Sequence, residues 1–152
     1  MATRSTIAIE HADGTVHNVY CHWDGYLDHN GRILLEHYSD PLIAEELISL
    51  GSISSLRETV GEKHGFDESY DRDDARSKWT TYYGRDRGEE DTGPRVWKDF
   101  QDYKLNHQYE EYEYILRNDG NWYVSKYSEN YELLTEAIAE EMRQRDEEDA
   151  DA

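Results

Sequence analysis

The chain has 152 residues, with 16 Lys or Arg against 35 Asp or Glu, for a formal net charge of −19. Leu, Ile, Val and Phe make up about 17% of it, below the roughly 20% at which high net charge signals disorder, yet four Trp and 13 Tyr supply further apolar surface for one folded domain. No apolar run nears the roughly 20 residues of a transmembrane helix, a single cysteine forms no internal disulfide, and negative charge repels phosphates; a membrane span, a disulfide scaffold and a direct nucleic-acid binder are excluded.

Met1-Ala-Thr-Arg-Ser-Thr-Ile7 carries no long apolar segment, so no signal peptide is expected, and the lone Cys21 suits a reducing cytoplasm. The stretch from Ile7 to Trp23 reads as a β-hairpin turning on Asp13-Gly14, with a two-residue type I′ turn that sets Glu10 opposite His17 and Ala8 opposite Val19. Arg32 to Tyr38 reads as a helix capped by Asp28 or Asn30. Asp40-Pro41 starts another, with Ile43, Leu47 and Leu50 on one face and Gly51 as its stop.

Residues 61–95 hold few aliphatics and dense mixed charge, and read as a long exposed insertion tied down by Trp79-Thr-Thr-Tyr-Tyr83. Val96, Phe100 and Tyr103 stand at helical spacing. A second hairpin turns at Asp119-Gly120 and pairs Leu116 with Tyr123, Ile115 with Val124 and Glu113 with Lys126; one face then carries Tyr112, Tyr114, Leu116, Tyr123 and Tyr127. The last helix is expected from about Asn130 to Arg145, striped by Leu134, Ala137, Ile138 and Met142. Residues 146–152 read as a disordered acidic tail. The expected fold is one α+β domain over residues 1–145, an antiparallel sheet of about four strands from the two Asp-Gly hairpins, with about three helices packed on one face.

Negative charge is unevenly spread, with −6 over residues 1–60, −3 over 61–100 and −10 over 101–152. Three readings stand side by side: a solubility coat, adaptation to high salt (five Lys against eleven Arg), or a surface shaped for a basic partner.

Few residues are spaced for chemistry. Cys21, His22 and Asp24 lie close in sequence, but strand alternation turns Cys21 away from His22 and Asp24, so a thiol nucleophile is not assembled there. None of the seven histidines stands in a His-Glu-x-x-His or paired Cys-x-x-Cys spacing; His22, Asp24 and His29 converge only if their loop folds back, and no metal or cofactor is expected. Gly84-Arg-Asp-Arg-Gly88 offers Arg85 and Arg87 as a clamp for phosphate beside Tyr82 or Trp79, or else as a self-neutralising loop. The candidate ligand residues are therefore Arg85, Arg87, Tyr82, Trp79, His22 and Asp24.

Arg4-Ser-Thr-Ile-Ala-Ile9, Tyr20-Cys-His-Trp-Asp-Gly-Tyr26, Leu50-Gly-Ser-Ile-Ser-Ser-Leu56 and Tyr83-Gly-Arg-Asp-Arg-Gly88 resemble a family of small proteins from phage genomes and bacterial reading frames. The resemblance spans roughly residues 1–90 and carries no activity. It implies a virus-encoded accessory protein in the host cytoplasm, acting on a host component. The first functional expectation is thus a non-enzymatic acidic inhibitor or decoy that binds a basic host protein, such as one that itself binds nucleic acid, with self-association left open. The alternatives are a binder of a nucleotide-like ligand through Arg85 and Arg87, and a small hydrolase or transferase using Cys21 or His22.

Overall fold

The first Asp-Gly pair closes a hairpin between β1 (Ser5–Glu10) and β2 (Val16–Cys21). The computed structural model describes residues 2–127 and 130–151. After β2 a wide turn over Leu27–Gly31 runs into α1 (Arg32–His37). No side chain caps α1: Asp28 instead pairs with Arg32 at 2.7 Å, and Asn30 is buried, its amide donating to Ser5 Oγ and Trp23 O. Helix α2 (Pro41–Ser49) starts as predicted, with Pro41 in its first turn and Asp40 accepting from the Leu42 N–H at 2.9 Å. It stops at Gly51, whose φ is +94°. Strand β3 (Ile53–Ser55) follows, then a 3-10 turn at Ala75–Lys78, β4 (Thr81–Tyr82) and α3 (Tyr83–Arg87). Next come β5 (Arg95–Trp97), α4 (Phe100–Asn106), the second hairpin of β6 (Tyr112–Leu116) and β7 (Trp122–Lys126), β8 (Glu132–Leu133) and α5 (Leu134–Asp151).

Both hairpins differ from expectation by one residue of register. Glu10 pairs with Val16 and Ala8 with Asn18, while Leu116 pairs with Trp122 and Ile115 with Tyr123. The cause is the turn. Gly14 donates to His11 O and His11 to Thr15 O; Gly120 donates to Arg117 O and Arg117 to Asn121 O. Each loop thus holds three residues, a type I turn followed by one left-handed glycine (φ +93° at Gly14, +86° at Gly120). Asp13 keeps negative φ because its carboxylate accepts the Thr15 N–H, as Asp119 accepts that of Asn121. A one-residue slip turns a whole strand over, so Trp122 and Val124, not Tyr123, share a face with Tyr112, Tyr114 and Leu116.

The sheet corrects the expected four antiparallel strands and three helices. Among the described residues it is mixed and eight-stranded, in the order β4-β3-β2-β1-β6-β7-β8, with β5 also paired to β2, and five α-helices accompany it. β1 runs parallel to β6 and β2 parallel to β3. Strands of two or three residues are too short to show alternation, and the β1–β6 pairing joins segments a hundred residues apart. Both faces are covered rather than one. On the first, Ile7, Ile9, Val19, Cys21, Tyr114, Leu116, Trp122 and Val124 meet Leu34, Ala44, Leu47, Ile48, Leu134, Ala137 and Ile138 of α1, α2 and α5. On the second, Ala8, Val16 and Ile115 meet Tyr103 of α4, with Trp97, Phe100, Tyr123 and Tyr131 around them.

The apolar stripes shift accordingly. In α2, Ala44, Leu47 and Ile48 are buried while Ile43 and Leu50 face solvent; Val96 lies in β5 and is exposed, as is Met142. The charged stretch 61–95 is anchored through Thr80 and Tyr82 as expected, but it also contributes β4, α3 and β5 to the domain. Helix α5 begins at Leu134, after β8, and the residues expected as a tail form its last turns through Asp151; Ala152 lies outside the described residues. No helix among the described residues is long and apolar enough to cross a membrane.

Gly51 tests the packing of the 88–94 loop against α2. A Cβ there would sit 2.2 Å from Thr92 O, in a backbone region that L-residues avoid. Gly51→Ala is expected to lower stability by about 2 kcal/mol or more, read as the urea midpoint; an unchanged midpoint would contradict it.

Candidate functional site

The Gly84-Arg-Asp-Arg segment forms α3, and its arginines point inward rather than toward a ligand. Arg85 donates Nε–H and one Nη2–H to the Asp86 carboxylate, the other Nη2–H to Thr80 O, and its Nη1 hydrogens to Val60 O and Gly61 O, at 2.7 to 3.2 Å. Those are all five donors of a guanidinium, so none is left for phosphate. Asp86, buried, also accepts the backbone N–H of Tyr82 and His64. Tyr82 donates its hydroxyl to Leu47 O, and its ring carries the Arg85 guanidinium at 4.7 Å. Arg87 pairs with Glu89 at 2.8 Å and lies over the Phe66 ring. Trp79 packs against Gly61 and meets the His64 ring edge-on. The expected clamp is a knot that ties three loops to β4.

The Cys21 and His22 pair also stays apart. Cys21 faces the first core, buried, and burial drives its thiol up to about 11 despite the hydrogen bond from Asn30. His22 shares a 2.6 Å hydrogen bond with the Tyr20 hydroxyl; partial burial, then the Arg4 charge, lowers its pKa and keeps the imidazole neutral. Asp24 turns the chain with φ +57°, and His29 shares a hydrogen bond with Asn30, so the loop does not bring His22, Asp24 and His29 together around an ion.

Sequence spacing did not single out two other clusters. At the end of α4, His107 stacks on Tyr103 at 4.0 Å and bonds Glu113, with both side chains about 1% exposed. The Tyr131 hydroxyl donates to Glu113, and that of Tyr103 shares a hydrogen bond with Thr6; burial raises both phenol pKa values. Glu113 and Tyr131 line a cleft of about 420 Å³ with Lys104 and Arg117. Glu113 was expected opposite Lys126; the true register pairs it with Ser125 beneath α4.

The second cluster is His11, His17 and Glu45, whose ligand-capable atoms all lie within 4.8 Å of one another. It is the one such group among the described residues. His11 opens the hairpin loop, His17 stands in β2, and Glu45 comes from the second turn of α2. All three are half-buried. Two of them line a cleft of about 360 Å³ with Ile9, Pro41, Leu42 and Leu116. A larger cleft of about 710 Å³ on the second sheet face mixes Arg4 and Arg95 with Asp91 and Glu110 over a floor of Thr6 and Asn18. No protein-family model, curated protein or solved structure matches the chain.

Two measurements check these placements. At pH 8, iodoacetamide should label native Cys21 at least about 100-fold more slowly than the urea-unfolded chain, since a thiol held near 11 is rarely ionised; equal rates would show an accessible thiol. Arg85→Ala, which strands the buried Asp86 charge, should cost about 3 kcal/mol in chemical denaturation, whereas a surface ligand clamp would cost almost nothing.

Proposed function

We propose that this chain is a non-enzymatic accessory protein, of the phage-encoded kind its N-terminal strings resemble, which acts as an acidic inhibitor or decoy by docking on a basic host protein. The carrying observation is the outer half of α5. Among the described residues of this helix the buried ones are Leu134, Ala137 and Ile138, and residues 142–150 are all exposed. From Ala139 to Asp151 it holds seven acids and two arginines. Arg143 pairs with Glu140, and Arg145 with Glu141 and Asp28, which leaves Asp146, Glu147, Glu148 and Asp149 on the last described turns.

Acids at that end oppose the helix dipole, whose C-terminus carries partial negative charge. They repel one another as well. A basic surface relieves both costs on binding, and one shaped for nucleic acid carries cations at the density such a row needs. Several cations elsewhere are held by the chain's own carboxylates, since Arg32, Arg76, Arg85, Arg87 and Arg117 all sit in ion pairs.

The test is capture from a bacterial lysate by the immobilised full chain and by a version ending at Arg145. Basic nucleic-acid-binding proteins should be held by the full chain at 50 mM salt, released by about 300 mM, and held weakly by the shortened chain. Retention that neither salt nor truncation changes would refute an acidic-surface mechanism.

A further inference from the structure

We infer that His11, His17 and Glu45 form a binding site for a single divalent first-row transition-metal ion. The site is built by the hairpin turn and by the docking of α2. Because the loop is three residues long, His17 pairs with Ile9, whose side chain enters the first core. His17 therefore points to the side that α2 covers. His11, two residues beyond Ile9, falls on the same side by strand alternation. Ala44, Leu47 and Ile48 seat α2 on that face, and Glu45, beside them, meets both rings.

The geometry is close to that of a closed site. His11 Nε2 touches Glu45 Oε2, His17 Nδ1 lies 4.0 Å from Glu45 Oε1, and the two imidazoles meet edge to face at 4.4 Å. A tetrahedral ion bound at roughly 2.0–2.1 Å needs donor atoms about 3.4 Å apart. The donor atoms here all lie within 4.8 Å of one another, so binding asks for shifts of about 1 Å at flexible side-chain ends.

The tautomer of His11 supplies the chemical reason for a cation. Its Nδ1 lies 3.2 Å from the carbonyl oxygen of Thr15 and 3.3 Å from the Thr15 hydroxyl, whose own hydrogen goes to Asp13; both neighbours accept, which favours the hydrogen on Nδ1. In the neutral ring Nε2 then presents a lone pair, and it presents it to a carboxylate oxygen. Two acceptors then face each other, and the contact calls for a positive charge between them, either the second proton of an imidazolium or a metal ion. An imidazole whose far nitrogen donates to a backbone carbonyl while its near nitrogen meets a second ligand is the arrangement that orients metal-binding histidines. The support extends one step further, because Asp13 accepts from both Thr15 N and Thr15 Oγ1, at 2.9 and 2.7 Å, and so fixes the carbonyl that fixes His11.

The donor set selects the ion. Two imidazoles and one carboxylate suit zinc, cobalt or nickel, whereas calcium and magnesium take mainly oxygen ligands. One carboxylate leaves the bound ion with residual positive charge, which the −19 of the chain favours. Three protein ligands also leave a coordination position for water or another donor, beside the cleft lined by Ile9, Leu42 and Leu116.

Zinc alone is the probe, titrated by calorimetry into the full chain, with cobalt absorption as a second readout of tetrahedral coordination. We expect one zinc per chain at submicromolar affinity. His17→Ala and Glu45→Gln should each weaken it by about 100-fold, and Asp13→Ala by about 10-fold through the loss of outer support. His37→Ala, on an exposed histidine outside the site, should leave it unchanged. The three ligands are half-exposed, so the metal-free variants should keep the thermal midpoint of the parent, which separates lost binding from lost folding. The inference is overturned by the absence of stoichiometric binding at micromolar zinc, by affinity that survives both ligand substitutions, by equal loss in His37→Ala, or by a His11 ring that is doubly protonated at pH 7 and indifferent to zinc by NMR.

Discussion

The parallel pairing of β1 with β6 is the constraint on which the rest of this molecule depends. Ser5 to Ile9 lie beside Tyr112 to Leu116, so two hairpins formed by local turns become one sheet with β1 near its centre. Every residue of β1 is buried, and both faces of the sheet must then be covered. A parallel connection needs a long crossover, and the chain between β2 and β6 supplies it: α1 and α2 cover one face, and α4 the other. The same pairing brings the two turns side by side. There Glu10 accepts from Arg117 Nε and Nη2 and from the Asn118 N–H at 3.0 to 3.1 Å, which binds the ends of the hairpins to each other.

A second consequence is a polar interior that has to be satisfied. Covering both faces buries Asn30, Thr80, Asp86, His107 and Glu113 along with the apolar core. Among the described residues no buried side-chain nitrogen or oxygen lacks a partner, as an unpaired buried group would cost about 1–3 kcal/mol. The arginines do much of this work. Arg85 caps three carbonyls and a carboxylate at once, and Arg117 holds Glu10. The acids that no cation meets lie outward, most densely along α5.

Local signals were legible in the sequence, and nonlocal ones were not. Asp-Gly marked both hairpins, Asp40-Pro41 and Gly51 bounded α2 correctly, and Leu134, Ala137 and Ile138 marked the buried face of α5. Strands β3, β4, β5 and β8 escaped notice because two or three residues carry no period. Of the two readings of Arg85 and Arg87, the self-neutralising one matches their pairs with Asp86 and Glu89; the bonds of Arg85 to the carbonyls of Val60, Gly61 and Thr80 were not legible, because no side-chain identity advertises a carbonyl. The end of α5 read as a tail because its composition is that of a disordered segment, while the pairs Glu140–Arg143 and Glu141–Arg145 that knit the preceding turn are visible only on a helix. His107 with Glu113, and His11 and His17 with Glu45, depend on register and helix docking, which spacing in sequence cannot encode.

Register is where the smallest feature has the largest reach. With a two-residue turn at Asp13-Gly14, Glu10 would stand across from His17 on one face, and either a carboxylate would enter the first core or a histidine would leave α2. The three-residue turn resolves that conflict. Asp13 spends its carboxylate on Thr15 and stays in the right-handed region, so Gly14 alone takes the left-handed conformation. Ile9 and His17 then face α2, while Glu10 turns to Arg117 on the opposite side. A single glycine φ thus sorts the hairpin into an apolar and imidazole face under α2 and an ion-paired face beside the second turn, and the equivalent glycine at position 120 does the same for Trp122 and Val124.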